Sequence, residues 1–182
     1  MKPLMWKLDK IGRVRLSEHF YMRQFLYSEI AAAFGIVNIP DNEALAIETG
    51  TQLCQQILEP LVTKFGPIVI RSGFRSEKLN EYGHKHRMHC GTNESNYAYH
   101  IWDRLDTNGK KGAAACIVIP SFNDGKTEMK TQQDLANYLN DHVPYHQVTF
   151  FSRNNAFNIG WHEKPIKTIY SLKPKPHFIS KG

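Results

Sequence analysis

The chain has 182 residues, a formal net charge of +6 and 41% apolar residues, which suits one globular domain with a real core and excludes a disordered polymer. No apolar run approaches the roughly 20 residues that span a bilayer, and the N-terminal stretch lacks the apolar centre and small-residue cleavage site of a secretory signal, so neither membrane insertion nor a signal peptide is expected. The basic residues are spread along the chain, with short clusters at Lys110 and Lys111 and between Lys164 and Lys175, which reads as a solvated basic face and not as a specific nucleic-acid surface.

In chain order, residues 1–15 read as an irregular N-terminal arm, 16–172 as a single domain and 173–182 as a C-terminal tail. Tyr21 to Phe34 has a helical pattern stopped by Gly35. Asn38-Ile39-Pro40 is a turn, and Asp41 is placed to cap a long helix with Glu43 in its first turn. Leu53, Cys54, Ile57, Leu58 and Leu61 recur at three- and four-residue steps on that helix, so Cys54 belongs to a buried stripe. Gly66-Pro67 ends it, and Ile68-Val69-Ile70 reads as a short buried strand. Ser76 to Tyr82 is briefly helical, and Gly83 to Asn96 is a polar loop. Tyr97 to Leu105 reads as extended, closed by a hairpin turn at Asp106-Thr107-Asn108-Gly109. Gly112 to Pro120 is the clearest strand. Thr131 caps a helix running to His142, with Asp134 three residues on. Strand-like pieces follow at Val148–Phe151, Phe157–Trp161 and Ile166–Tyr170. Helices followed by strands interleaved with one more helix predict an α+β domain, a small and mostly antiparallel sheet packed against helices. Three cysteines, Cys54, Cys90 and Cys116, without Cys-x-x-Cys spacing argue for free thiols and a reducing compartment.

The order of landmarks resembles a known family. Leu16-Ser17-Glu18-His19-Phe20, a helix, Asn38-Ile39-Pro40, a helix ending Ile57-Leu58-Glu59-Pro60-Leu61, then Ile70-Arg71-Ser72-Gly73-Phe74-Arg75-Ser76 with Leu79-Asn80 are similar to the zinc D-alanyl-D-alanine carboxypeptidases and their phage endolysin relatives. That resemblance implies a D-Ala-D-Ala peptidase-like fold and a metal site with three protein ligands, in which zinc polarises a water and a carboxylate takes its proton. Carried over residue by residue, the implied ligand positions hold His100, Cys116 and Asn158, and the general-base position holds Asn155. Arg75 is retained where the family's arginine contacts substrate. A thiolate binds zinc well, whereas a neutral carboxamide does so poorly. His162, an even number of residues beyond Asn158 on the same strand, is the substitute ligand if the register differs. Asp103, Asp106 and Glu163 are nearby carboxylates outside the family spacing.

Each of these residues also has a plainer reading. Cys116 suits a central strand as a small buried residue, and Arg75 suits a structural fork to a nearby carboxylate or to carbonyl oxygens that close the loop. His86, His89 and Cys90 suit a basic loop better than a second metal site, and His177 suits an exposed tail. The expectation is therefore a non-catalytic peptidase-fold structural or binding module without a cofactor, a phage tail or baseplate component found in the virion or the host cytoplasm. Its expected partners are other virion proteins, further copies of itself, or peptidoglycan. The alternatives are an active zinc peptidase acting on peptidoglycan stem peptides, with His100, Cys116 and His162 as ligands, and a basic nucleic-acid-binding protein.

Overall fold

A computed structural model describes residues 3–151, 155–172 and 176–181. Helices α1 (Pro3–Gly12), α2 (Met22–Leu26), α3 (Glu29–Phe34), α4 (Glu43–Leu53) and α5 (Glu59–Phe65) precede strand β1 (Val69–Ser72). Short helices α6 (Glu77–Lys85) and α7 (Asn93–Asn96) lead to β2 (Gly112–Val118). Then come α8 (Pro120–Asn123), α9 (Gln132–His142), β3 (Gln147–Phe150), β4 (Phe157–His162), β5 (Thr168–Ser171) and β6 (His177–Lys181).

The expected apolar stripe organises the main helix. Leu53, Cys54, Ile57, Leu58 and Leu61 are fully buried, and a π-helical turn at Cys54–Leu58 joins α4 to α5 without a break. The π turn adds one residue to the local winding, which keeps the buried side chains of α4 and α5 facing the same sheet. Asn42, not the expected Asp41, caps α4 by accepting from the Leu45 amide. Asp41 is drawn away to Arg104, whose Nη2 lies 2.8 Å from its carboxylate. Thr131 caps α9 in a reciprocal box with Asp134, as its spacing predicts.

The sheet has six strands in the order β1-β2-β4-β3-β5-β6, antiparallel at every pairing except the parallel β3–β5 pair. Its helix-facing side buries Ala113, Ala115, Ile117, Val148, Phe150, Phe157, Ile159 and Ile169 completely. The alternate residues Thr149 on β3 and Asn158 on β4, opposite one another in register, face the other way. Because β5 runs parallel to β3, the loop 163–167 strides from the end of β4 across the start of β3. The Ile166 amide donates to His146 Nδ1 (3.2 Å) and the Thr168 amide to the His146 carbonyl (3.4 Å).

Five further expectations are corrected. The strand expected to be buried at Ile68–Ile70 is the edge strand β1, whose Val69 is half exposed. The N-terminal arm holds α1, whose Ile11 enters the core at 2% exposure. The helix expected over Tyr21–Phe34 is two helices, because Tyr27 adopts an extended conformation between them (φ −68°, ψ 136°). The C-terminal tail carries β6, paired to β5, so the exposed His177 stands on a strand; Lys173, Pro174, Lys175 and Gly182 lie outside the described residues. Tyr97–Leu105 is not extended. Ile101 and Trp102 are both fully buried, which an alternating strand cannot achieve at consecutive positions on an open sheet edge. The segment folds into tight turns with Ala98 at φ 53°. It lies beside β2 where β1 has ended, the Ala114 amide donating to the Tyr99 carbonyl (2.7 Å) and Trp102 Nε1 to the Ala114 carbonyl (3.0 Å).

Candidate functional site

The sheet face turned away from the main helix is the floor of a cleft of about 790 Å³. One wall is the 89–110 segment and the other the 163–167 loop, so the cleft gathers Arg75, Tyr99, His100, Asp106, His146, Thr149, Asn158 and His162. Five of these, Arg75, His100, Asp106, Asn158 and His162, are sequence candidates. Cys116 stands directly opposite Asn158 across the β2–β4 ladder, which puts both side chains on one face. Asn155 is a half-buried turn residue at φ 45°.

His100 is 2% exposed. Its Nδ1 donates to the Gly73 carbonyl at 3.0 Å, which leaves the Nε2 lone pair bare. Nε2 has no hydrogen-bond partner among the described residues. Asn158 and Tyr99 line the cleft beside it, and Thr149 stands opposite Asn158 across the β3–β4 pair. Burial, with the Arg75 charge adding to it, holds the His100 imidazole well below its usual pKa, so it is neutral. Burial also raises the Cys116 thiol, against the opposing pull of Arg71 and Arg75. The position of the implied metal is thus surrounded by a neutral imidazole, a protonated thiol, a carboxamide and a phenol.

A three-ligand zinc site does not fit these groups. Among the described residues no three His, Cys, Asp or Glu side chains converge on one point. The substitute ligand His162 lies four residues along β4 from Asn158, roughly 13 Å at strand rise. Its Nε2 faces Asp106 Oδ2 at 3.3 Å and its ring stacks on His146 with centroids 4.4 Å apart.

Arg75 takes the loop-closing role. Its amide donates to the His100 carbonyl (2.8 Å), and Nη1 donates to Asn80 Oδ1 (3.1 Å) and contacts Cys90 Sγ (3.4 Å). Asn80, fully buried, in turn donates to the Gly91 carbonyl and to Asn93. The 84–90 loop does not gather a metal cluster: His84 and His86 each pair with a backbone carbonyl, His86 stacks on Tyr82, and His89 turns to the rim of the cleft. Of the nearby carboxylates, Asp103 is buried, taking the Asp41 and Asn42 amides and Arg104. Glu163 accepts from the Lys111 amide, and Asp106 alone reaches the cleft.

Tyr99, Thr149 and His146 carry no signal in the sequence. They become site residues because the 97–102 turns and the parallel β3–β5 crossover bring them over the same floor. No family model matches this chain, and no curated protein or solved structure matches it either.

Proposed function

We propose that the chain is a non-catalytic relative of the zinc D-alanyl-D-alanine peptidases, a structural or binding module that keeps the cleft and has lost the metal. Asn158 carries the reading. It occupies the position where the resemblance implies the last ligand, and it lines the cleft as a neutral carboxamide beside a neutral His100. A hydrolytic centre there needs a metal-bound water and a base, and the base position holds Asn155. The resemblance further supports a place in a phage tail or baseplate, with other virion proteins or further copies as partners and peptidoglycan as the surface met. Among the described residues no helix is long and apolar enough to cross a membrane.

Zinc content before and after Asn158→His tests this. Dialysed against zinc and then buffer, the natural chain is expected to keep less than about a tenth of an equivalent, while Asn158→His, adding an imidazole beside His100 and Cys116, gains close to one. Stoichiometric zinc in the natural chain, together with cleavage of a stem pentapeptide, sinks the reading.

One observation favours the active zinc peptidase as a second reading. A histidine whose Nδ1–H is tied to a carbonyl with Nε2 left bare is arranged as metal-ligating histidines are. The same zinc measurement decides between the two.

A further inference from the structure

The cleft has a second end, some 13 Å along β4 from Asn158, framed by His146, His162, Lys110 and Lys164. Both nitrogens of His162 are occupied, Nε2 by Asp106 and Nδ1 by the Lys164 backbone, whose amide and carbonyl lie 3.0 and 2.9 Å away. His146 is different. Its Nδ1 accepts from the Ile166 amide, so in the neutral ring Nε2 carries the proton. That N–H belongs to a cleft-lining side chain and has no partner among the described residues.

Lys110 and Lys164 sit on the two loops that frame His162 and line the same cleft. Neither ammonium makes an ion pair among the described residues. The acid at this end, Asp106, is already committed, accepting from the Asn108 amide (2.8 Å) and the Lys110 amide (2.7 Å) and facing His162. What remains is one directed N–H and two cations, set beside the neutral carboxamides of Asn108 and Gln147. A carboxylate is best met by a guanidinium fork, but Arg75 is at the other end, engaged with Asn80 and Cys90. Lysine ammoniums are point charges that suit a tetrahedral oxyanion.

We propose that this end of the cleft is a phosphate-binding subsite, in which His146 Nε2–H donates to one oxygen and Lys110 and Lys164 close on the others. The proposal rests on the reading of the cleft as a binding surface. The cleft volume of about 790 Å³ falls in the range of small-ligand sites, so the ligand is a phosphate ester of small-molecule size.

The test titrates the full chain with inorganic phosphate and with glycerol 1-phosphate at low ionic strength, following the His146 ring protons by NMR. Saturable shifts of the His146 ring signals are expected as the anion accepts from Nε2–H. A Lys110→Gln, Lys164→Gln double variant, replacing side chains whose backbone contacts remain, is expected to keep its melting temperature and lose affinity roughly tenfold or more. Absence of saturable shifts, unchanged affinity in the double variant, or acetate binding as tightly as phosphate overturns the proposal. A single-stranded oligonucleotide that binds more tightly than glycerol 1-phosphate, with steep salt dependence, also overturns it and assigns the cations to nucleic acid. Stoichiometric zinc in a chain that binds phosphate would defeat the earlier reading and leave this one standing.

Discussion

His146 couples the cleft to pH. Its pKa is lowered to about 4 from 6.5 in the folded protein, so the unfolded chain takes up this proton first as pH falls. The folded state therefore carries the full benefit of the neutral ring above pH 6.5 and loses it between there and pH 4. For a half-buried ring the loss is roughly 2 to 3 kcal/mol after allowing for screening. Urea denaturation of the natural chain and His146→Gln from pH 7 to 4.5 checks this: the stability difference between them should shift by that amount in the variant's favour. A parallel decline in both chains would assign the acid lability elsewhere. Residues at this scale were unevenly legible. His100, Asn158 and Arg75 follow from the family resemblance, and Asp106 from being a carboxylate near the landmarks. His146 was invisible because nothing local marks a histidine before a strand; the crossing loop above it makes it matter.

At the scale of elements, the wall of the cleft depends on how closely the 97–102 turns approach β2. Gly112 faces the Ala98 carbonyl oxygen so closely that a Cβ there would lie well inside contact distance, and it would also press on the His162 ring at 2.8 Å. Both the backbone oxygen and a buried ring must move, so Gly112→Ala is expected to cost about 1 to 3 kcal/mol and to separate Asp106 from His162. Thermal melting gives the first effect and the chemical shifts of the His162 ring the second; an unperturbed ring in a stable variant would refute the tight approach. The helix stripe at Leu53–Leu61, the Thr131 cap and the β2 strand were legible because each is decided by local pattern or capping chemistry. The 97–105 segment was not, because Ile101, Trp102 and Asp103 are all buried by tertiary contacts, which override a strand-like composition.

For the whole molecule, the succession of helices and strands was enough for an α+β domain with one sheet packed on helices. The two ends were not legible in the same way. α1 shows its inward Leu8 and Ile11 only once α2 is there to receive them, and β6 is too short to declare itself without β5. The crossing of the 163–167 loop over β3 has a consequence for how the molecule opens. β3 is hydrogen-bonded to β4 on one side and β5 on the other, and the loop is tied to His146, just before it. It cannot leave the sheet alone, from an edge, or by fraying. Its amides, Val148 and Thr149 among them, should exchange with deuterium at rates set by global unfolding, while β1 and β6, each paired on one side, exchange through smaller openings. Measured hydrogen exchange that releases β3 before the edge strands would contradict this order. A strand that exchanges only when everything unfolds keeps Thr149 on the cleft floor, and His146 at its threshold, in place through every lesser fluctuation.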